Sequence, residues 1–262
     1  SRKNLGYLIA MKNNPEMIIE TDDDNLPLKN FFIKKTINKQ NTYHSKKAGW
    51  VNVYKKYTKE NIWPRGFALE KLNSPLSKKF TFLKIKCPIQ QGLADKNPDV
   101  DAIYRLTSKL PISFNSSQNI SLGNGSICPF NSQNTGWLKE AFPLMYLPSY
   151  CSFRMTDIWR SFVAQRIAWT CGWSILFHGS SVIQERNQHD LIKDFEDEVP
   201  GYKNNFQIMN RFIKLKLKPG IKNIKYNMTL CYKELIKMQI INKKELKLLR
   251  CWFLDLKLVT EK

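Results

Sequence analysis

Residues 3–12, KNLGYLIAMK, place apolar side chains at Leu5, Leu8, Ile9 and Met11, the three-to-four spacing of a helix face. Asn13, Asn14 and Pro15 stop that helix. EMIIET follows as a short, buried strand, and a helix running straight into a strand points to an α/β layer arrangement. Residues 28–60 are polar and lysine-rich, with weak strand signals around GWVNVYKKY. WPRGFALEKL, at 63–72, reads as a loop leading to a short helix, and FTFLKIKCPIQQGLAD as a strand entering a glycine turn. NPDVDAIYRLT is a turn and a short helix, and SLGNGSICPFNSQNTGW a loop around one short strand. TDIWRSFVAQRIAWTCGW gives the clearest amphipathic helix, with Ile158, Trp159, Phe162, Val163 and Ile167 inward. Thr156 suits its cap, and Asp157 sits in the first turn, where the helix dipole favours a carboxylate. Residues 174–183 predict a strand, and the chain is helical from about 204 onward. Asn242 and Glu245 form a capping-box pattern ahead of Leu246, Leu249, Trp252, Phe253 and Leu256.

A chain of 262 residues, 42% hydrophobic and 24% charged, is long enough and apolar enough for a sizeable core. No run approaches 18 consecutive apolar residues, so the pattern predicts no membrane-spanning helix. There is no signal peptide and no initiator Met, and SRKNLGYL opens in mid-pattern, as a fragment of a longer protein would. The expected compartment is cytoplasmic if the chain is complete, or the Golgi lumen if an anchor precedes it. Six cysteines without any CxxC pair read as reduced, mostly buried thiols. The formal net charge is +20, of which +11 falls in residues 201–262. Such a surface attracts nucleic acid, anionic lipid or phosphorylated small molecules, or is a solvated composition bias. Neither zinc-finger spacing nor an RNP-like motif accompanies the lysines, so a nucleic-acid reader is disfavoured.

Against this charge, Asp22, Asp23 and Asp24 follow the first strand directly. If the strand continues through them, Asp22 and Asp24 project together and Asp23 points away. Two carboxylates so placed repel unless a divalent cation lies between them or one of them contacts a sugar hydroxyl. The other reading is a solvated acidic turn.

RKNLGYLIA, ETDDDN, WPRGFALEKLNSPL, QGLADKNPDVDAIYRLT, CPFNSQNT, TDIWRSFVAQRIAW and QERNQHDLIKDFEDEVPGY occur in the order of the STELLO family of glycosyltransferases, which residues 2–202 resemble. More distantly the chain resembles the reversibly glycosylated polypeptides, which include UDP-arabinopyranose mutases. The resemblance implies a GT-A-like α/β sandwich over residues 1–203, with a helical extension over 204–262. It implies transfer of a sugar from a nucleotide-sugar donor, in the first instance a UDP-sugar, to a glycan-type acceptor. The DxD carboxylates Asp22 and Asp24 would hold Mn²⁺ or Mg²⁺ on the diphosphate. In such folds a strand–helix–strand unit that binds the uracil base precedes this segment. In the mutases an arginine, the residue that becomes glycosylated, follows the Arg-Gly-aromatic motif; here Leu72 stands in its place, which disfavours a mutase. A non-catalytic scaffold with a basic helical tail, in peripheral contact with a membrane, is the third reading.

The same resemblance assigns the remaining candidates, each beside a plainer role. Arg2 and Lys3 would touch diphosphate or ribose, or fray at a helix start. Asp23 accompanies the metal pair on the substrate side. Arg65 would clamp phosphate bidentately, or pair with a structural carboxylate. Among Asp95, Asp99 and Asp101, Asp99 is the expected helix cap, while Asp95 and Asp101 are candidates for the sugar. Asn131, Gln133 and Asn134 suit hydroxyl recognition or loop hydrogen bonding. Asp157 is the candidate general base of an inverting transfer, or a helix N-terminal acid. His189 would be a late metal ligand, with Arg186 beside it on the substrate.

Overall fold

The computed structural model describes residues 1–31, 39–75, 79–115, 118–187 and 189–260. Part of the polar 28–60 stretch therefore lies outside the described residues. The chain is α/β. Helix α1 (Arg2–Lys12) leads into β1 (Met17–Thr21), followed by β2 (Asn25–Pro27), β3 (Lys39–Ser45), β4 (Gly49–Trp50), β5 (Thr81–Lys86) and β6 (Ile89–Asp95). Helix α2 (Ala102–Thr107), β7 (Ile120–Leu122), β8 (Ser126–Ile127) and β9 (Asn134–Leu138) come next. Then come α3 (Thr156–Thr170), β10 (Ile175–Gln184), α4 (Leu191–Lys214), α5 (Ile224–Lys237) and α6 (Glu245–Thr260).

The main sheet is mixed, with order β1-β9-β6-β10-β7-β3-β5. Strand β9 runs antiparallel to both β1 and β6, while β6 and β10 run parallel. Strand β10 is the spine. It carries β7 on the other side of its first half and β2 along its last residues, with a register break between His178 and Val182. The predicted glycine turn at 92 does not form. Gly92 lies inside β6, where an added Cβ would stand 2.4 Å from Asn134 Nδ2 and 2.6 Å from His178 Cε1. Only a glycine lets the neighbouring strands approach that closely.

Several sequence expectations shift in register or partner. On α1 the inward residues are Asn4, Tyr7 and Met11, while Leu5 and Ile9 face outward. Two polar positions won the inner face because their hydrogen bonds are there: the Asn4 side-chain amide exchanges bonds with the Leu147 main chain, and Tyr7 donates to Glu20. Helix α3 is buried on every side rather than on one, down to Arg160, Ser161 and Gln165. The capping box is half realised. Asn242 accepts from Lys244 N at 2.9 Å, but the Glu245 carboxylate leaves the box and accepts from Tyr146 Oη, Ser149 N and Tyr150 N. It thereby pins the start of α6 to the loop before α3. The expected boundary at 203/204 falls within α4, and the larger of two apolar clusters includes residues from Tyr7 to Trp252.

Glu20, on the inward face of β1, ties four elements at one point. It accepts from Tyr7 of α1, from Trp137 Nε1 of β9 at 2.9 Å, and from the Arg160 guanidinium of α3 at 2.9 and 2.7 Å. An unpaired buried carboxylate would be prohibitive, and this one has a donor for each available lone pair. The contact fixes the first turns of α3 against the end of β1.

Candidate functional site

Strand β1 stops at Thr21, and Asp22–Asp24 form a turn closed by Asn25 N donating to Asp22 O at 3.3 Å. The alternation expected of a continuing strand therefore does not apply. The Asp22 carboxylate accepts from Lys3 Nζ at 2.9 Å. Asp23 is exposed. Both Asp24 oxygens lie 3.2 Å from Gln184 Nε2 at the end of β10. Burial raises the proton affinity of Asp22 more than Lys3 lowers it, and the fields of Asp157 and Asp99 push the same way.

The Lys3 ammonium also donates to Ser132 Oγ at 3.1 Å, and this serine leads to the centre of the site. Asp157, buried in the first turn of α3, accepts from Arg65 Nη1 at 3.1 Å and Ile158 N at 3.0 Å on one oxygen. Its other oxygen accepts from Arg65 Nη2 at 2.9 Å and Ser132 N at 3.0 Å. Arg65 forks a second time onto Asp99, at 2.8 and 2.9 Å, and donates to the Arg154 carbonyl. Burial alone would raise the Asp157 pKa, but the Arg65 guanidinium, with Arg160 and Ser132 N, holds it well below the usual carboxylate range. Gly66 makes the approach possible. Its φ is +84°, and an added Cβ would lie 2.3 Å from Ile158 Cγ2, so the Arg65 loop rests directly on α3.

A second ionic cluster continues from the first through Arg154. Its guanidinium donates to Glu198 Oε1 at 2.6 and 2.9 Å and lies 3.7 Å from Asp194. Arg186 pairs with Asp194 at 2.6 Å, and His189 Nδ1 lies 3.3 Å from the same carboxylate. Thus Lys3, Asp22, Arg65 and Asp157 form one chain of contacts, which Arg186 and His189, from the segment before α4, join through Asp194. Ser132, Arg154 and Glu198 went unforeseen. Ser132 and Arg154 lie within or beside quoted motifs, yet neither residue carries a sequence signal of its own.

Other candidates have structural duties. Asp95 accepts from Phe114 N at 2.9 Å and Ser180 Oγ at 2.6 Å. Asp101, not Asp99, caps α2, accepting from Tyr104 N at 2.8 Å while Trp63 Nε1 donates to its other oxygen at 2.6 Å. Desolvation pushes the Asp101 pKa up to about 6. The Asn134 amide is buried under the sheet, donating to Leu93 O and Ser181 Oγ. Asn131 Oδ1 accepts from Gln133 N, and the carbonyl of buried Gln133 accepts from Asn25. Asn131 and Asn134 thus make the loop and sheet hydrogen bonds that were the plainer expectation for them. Arg2 is exposed on the first turn of α1.

The expected metal set does not assemble. Asp22, Asp24 and His189 take three different partners. Among the described residues no group of three or more histidine, cysteine, aspartate or glutamate side chains is placed to hold a cation. The described cysteines are all free, as expected. Among the described residues no helix is long and apolar enough to cross a membrane.

The model of the family described as STELLO glycosyltransferases matches residues 154–262, from the turn before α3 to the last residue. Over those residues the chain is similar to that family. It is 27% identical over 220 residues to "Probable glycosyltransferase STELLO2" of Arabidopsis thaliana, a match covering 75% of this chain and 28% of that protein. It is 28% identical over 192 residues to "Probable glycosyltransferase STELLO1" of the same plant, covering 65% of this chain and 25% of that one. The chain thus spans about a quarter of the length of these relatives. The match spans α3 to α6 and so includes residues on both sides of the expected 203/204 boundary.

Proposed function

We propose that this chain carries the donor side of a GT-A-like glycosyltransferase site, moving a sugar from a nucleotide-sugar, in the first instance a UDP-sugar, to a glycan-type acceptor. The observation that carries this reading is the network Asp22–Lys3–Ser132–Asp157–Arg65. It lies where the end of β1 meets the start of α3, and its outer end, Lys3 and Asp22, is partly open to solvent. Such a network offers a cationic donor to a diphosphate at one end and a rigid, ion-paired anchor at the other.

In this reading Asp157 is a positioning residue. A carboxylate with both oxygens occupied and its proton affinity depressed is a poor proton acceptor, so general-base work falls to another group. Asp157 instead keeps Arg65 and the Ser132 loop in place. No step is routed through a divalent cation, because the donor set expected for one does not converge. Ligand-observed NMR with UDP, GDP and a panel of UDP-sugars tests the reading. Saturation transfer to UDP-sugars that exceeds transfer to GDP, and is lost in Lys3→Met, supports it. Equal response to all nucleotides would refute it.

A second, compatible reading concerns α6. Its outer face sets Leu254 (60% exposed) and Leu258 (74% exposed) among Lys247, Arg250 and Lys257. Apolar side chains ringed by cations suit peripheral contact with an anionic membrane surface.

A further inference from the structure

The resemblance places a divalent metal at Asp22 and Asp24, and the structure has a different cation there. Lys3 stands on the first turn of α1, with its side chain 39% exposed. Its ammonium is held from two sides, by Asp22 Oδ1 at 2.9 Å and by Ser132 Oγ at 3.1 Å. The third contact, to the Ser132 carbonyl, is 3.5 Å, at the outer limit of a hydrogen bond. One N–H is therefore available to an incoming acceptor. Asp24, the other half of the expected pair, is turned onto the Gln184 amide. One carboxylate at the open end meets one ammonium, and the Arg65 guanidinium is already held by both Asp99 and Asp157. A divalent ion here would have to displace Lys3 from Asp22 and pull Asp24 from Gln184.

We infer that the Lys3 ammonium is the fixed cation of this site, oriented by Asp22 and Ser132 to meet the diphosphate of the donor where a bound metal was expected. The inference rests on the donor-site reading above but makes its own prediction. A lysine is a compact point charge with rotatable donors, suited to a phosphate oxygen without metal coordination. Its position in the first turn adds the positive end of the α1 dipole.

The test uses the full chain, inorganic pyrophosphate as probe, and calorimetry in EDTA and in Mn²⁺. Pyrophosphate should bind in EDTA, and Mn²⁺ should not strengthen binding beyond its effect on pyrophosphate itself. Lys3→Met should weaken binding about tenfold or more, the worth of one charge-assisted contact. Lys12→Met, at an exposed lysine on the same helix, controls for the general basic charge and should change binding little. Circular dichroism confirms that both variants keep the fold. Three results would each overturn the inference: no pyrophosphate binding without metal, an equal loss in Lys12→Met, or an Mn²⁺ site that disappears in Asp22→Asn or Asp24→Asn. The two proposals fail separately. Lys3-dependent pyrophosphate binding without any nucleotide-sugar binding would leave the cation assigned and the transferase reading refuted. Nucleotide-sugar binding that requires Mn²⁺ would do the reverse.

Discussion

Replacing Asp157 by Asn separates two roles that one residue at a helix start can play. The amide keeps the shape of the carboxylate but removes its charge and one acceptor. In the native arrangement each oxygen of Asp157 faces an Arg65 N–H and a backbone N–H, of Ile158 or Ser132. Either orientation of the new amide therefore sets its NH₂ against two donors. Arg65 keeps Asp99, so it is not stranded as a wholly uncompensated charge. Breaking a buried pair outright costs about 3–5 kcal/mol, and with half the compensation kept the loss should be about 2–3 kcal/mol. For a chain of this size that lowers the melting temperature by roughly 5–10 °C. Differential scanning calorimetry of parent and variant measures the drop, with Asp99→Asn expected to behave alike. A general base would show a different pattern. Turnover would then fall about 10²–10⁴-fold with melting unchanged. An Asp157→Asn protein that melts within about 1 °C of the parent while losing turnover on that scale would refute the positioning role.

The buried acid Asp101 makes the stability depend on pH in the opposite sense to Asp157. Its pKa in the fold, about 6, lies above the ordinary 3.8, so its contribution is complete below that value and is lost as pH rises towards 6. The loss is about 3 kcal/mol at about 1.4 kcal/mol per unit. Asp22 is shifted the same way, so the check is the flatter denaturant-measured stability between about pH 4 and 6 in Asp101→Asn, relative to the parent. Glu245→Ala should free α6 from the Tyr146–Tyr150 loop, and hydrogen exchange should speed up through α6 while β6 and β10 stay protected; uniform exchange would mean α6 is held by packing alone. Vesicles with about 30% anionic lipid should retain the protein at low salt and release it on raising salt, with Leu254→Glu/Leu258→Glu failing to bind. Retention of that variant would assign the effect to charge only.

The elements around β10 and α3 were legible because their apolar runs are long and their ends carry clear stop signals. FTFLKIKCPIQQGLAD was harder. A glycine in an apolar run reads as a turn, but Gly92 is there for the approach of Asn134 and His178, which come from distant parts of the chain. The inward face of α1 was misread for the same reason. Hydrophobic spacing favours Leu5 and Ile9, whereas the partners that decide the face, Leu147 O and Glu20, are supplied by the tertiary structure. A propensity argument sees the side chain and not its acceptor.

The site shows this most directly. TDIW, WPRGF and ETDDDN were each legible as chemistry; Asp157 and Arg65 pair directly, and Asp22 reaches them through Lys3 and Ser132. What each does depends on the residue that reaches it first. Arg65 was a phosphate clamp or a partner for a structural carboxylate, and two carboxylates claim it. Asp157 was a base or a helix acid, and in the fold its carboxylate accepts from Arg65 and Ser132 N. Asp22 and Asp24 were a metal pair or an acidic turn. The turn separates them, and Lys3 takes one while Gln184 takes the other. In each case the partners come from elsewhere in the chain, 19 residues away for Lys3 and Asp22 and 160 for Gln184 and Asp24, where the local motif cannot show them. The functional question at this site is therefore which of these donors still has an N–H to offer a ligand. Lys3, held on two sides and open on the third, is the one whose geometry leaves room.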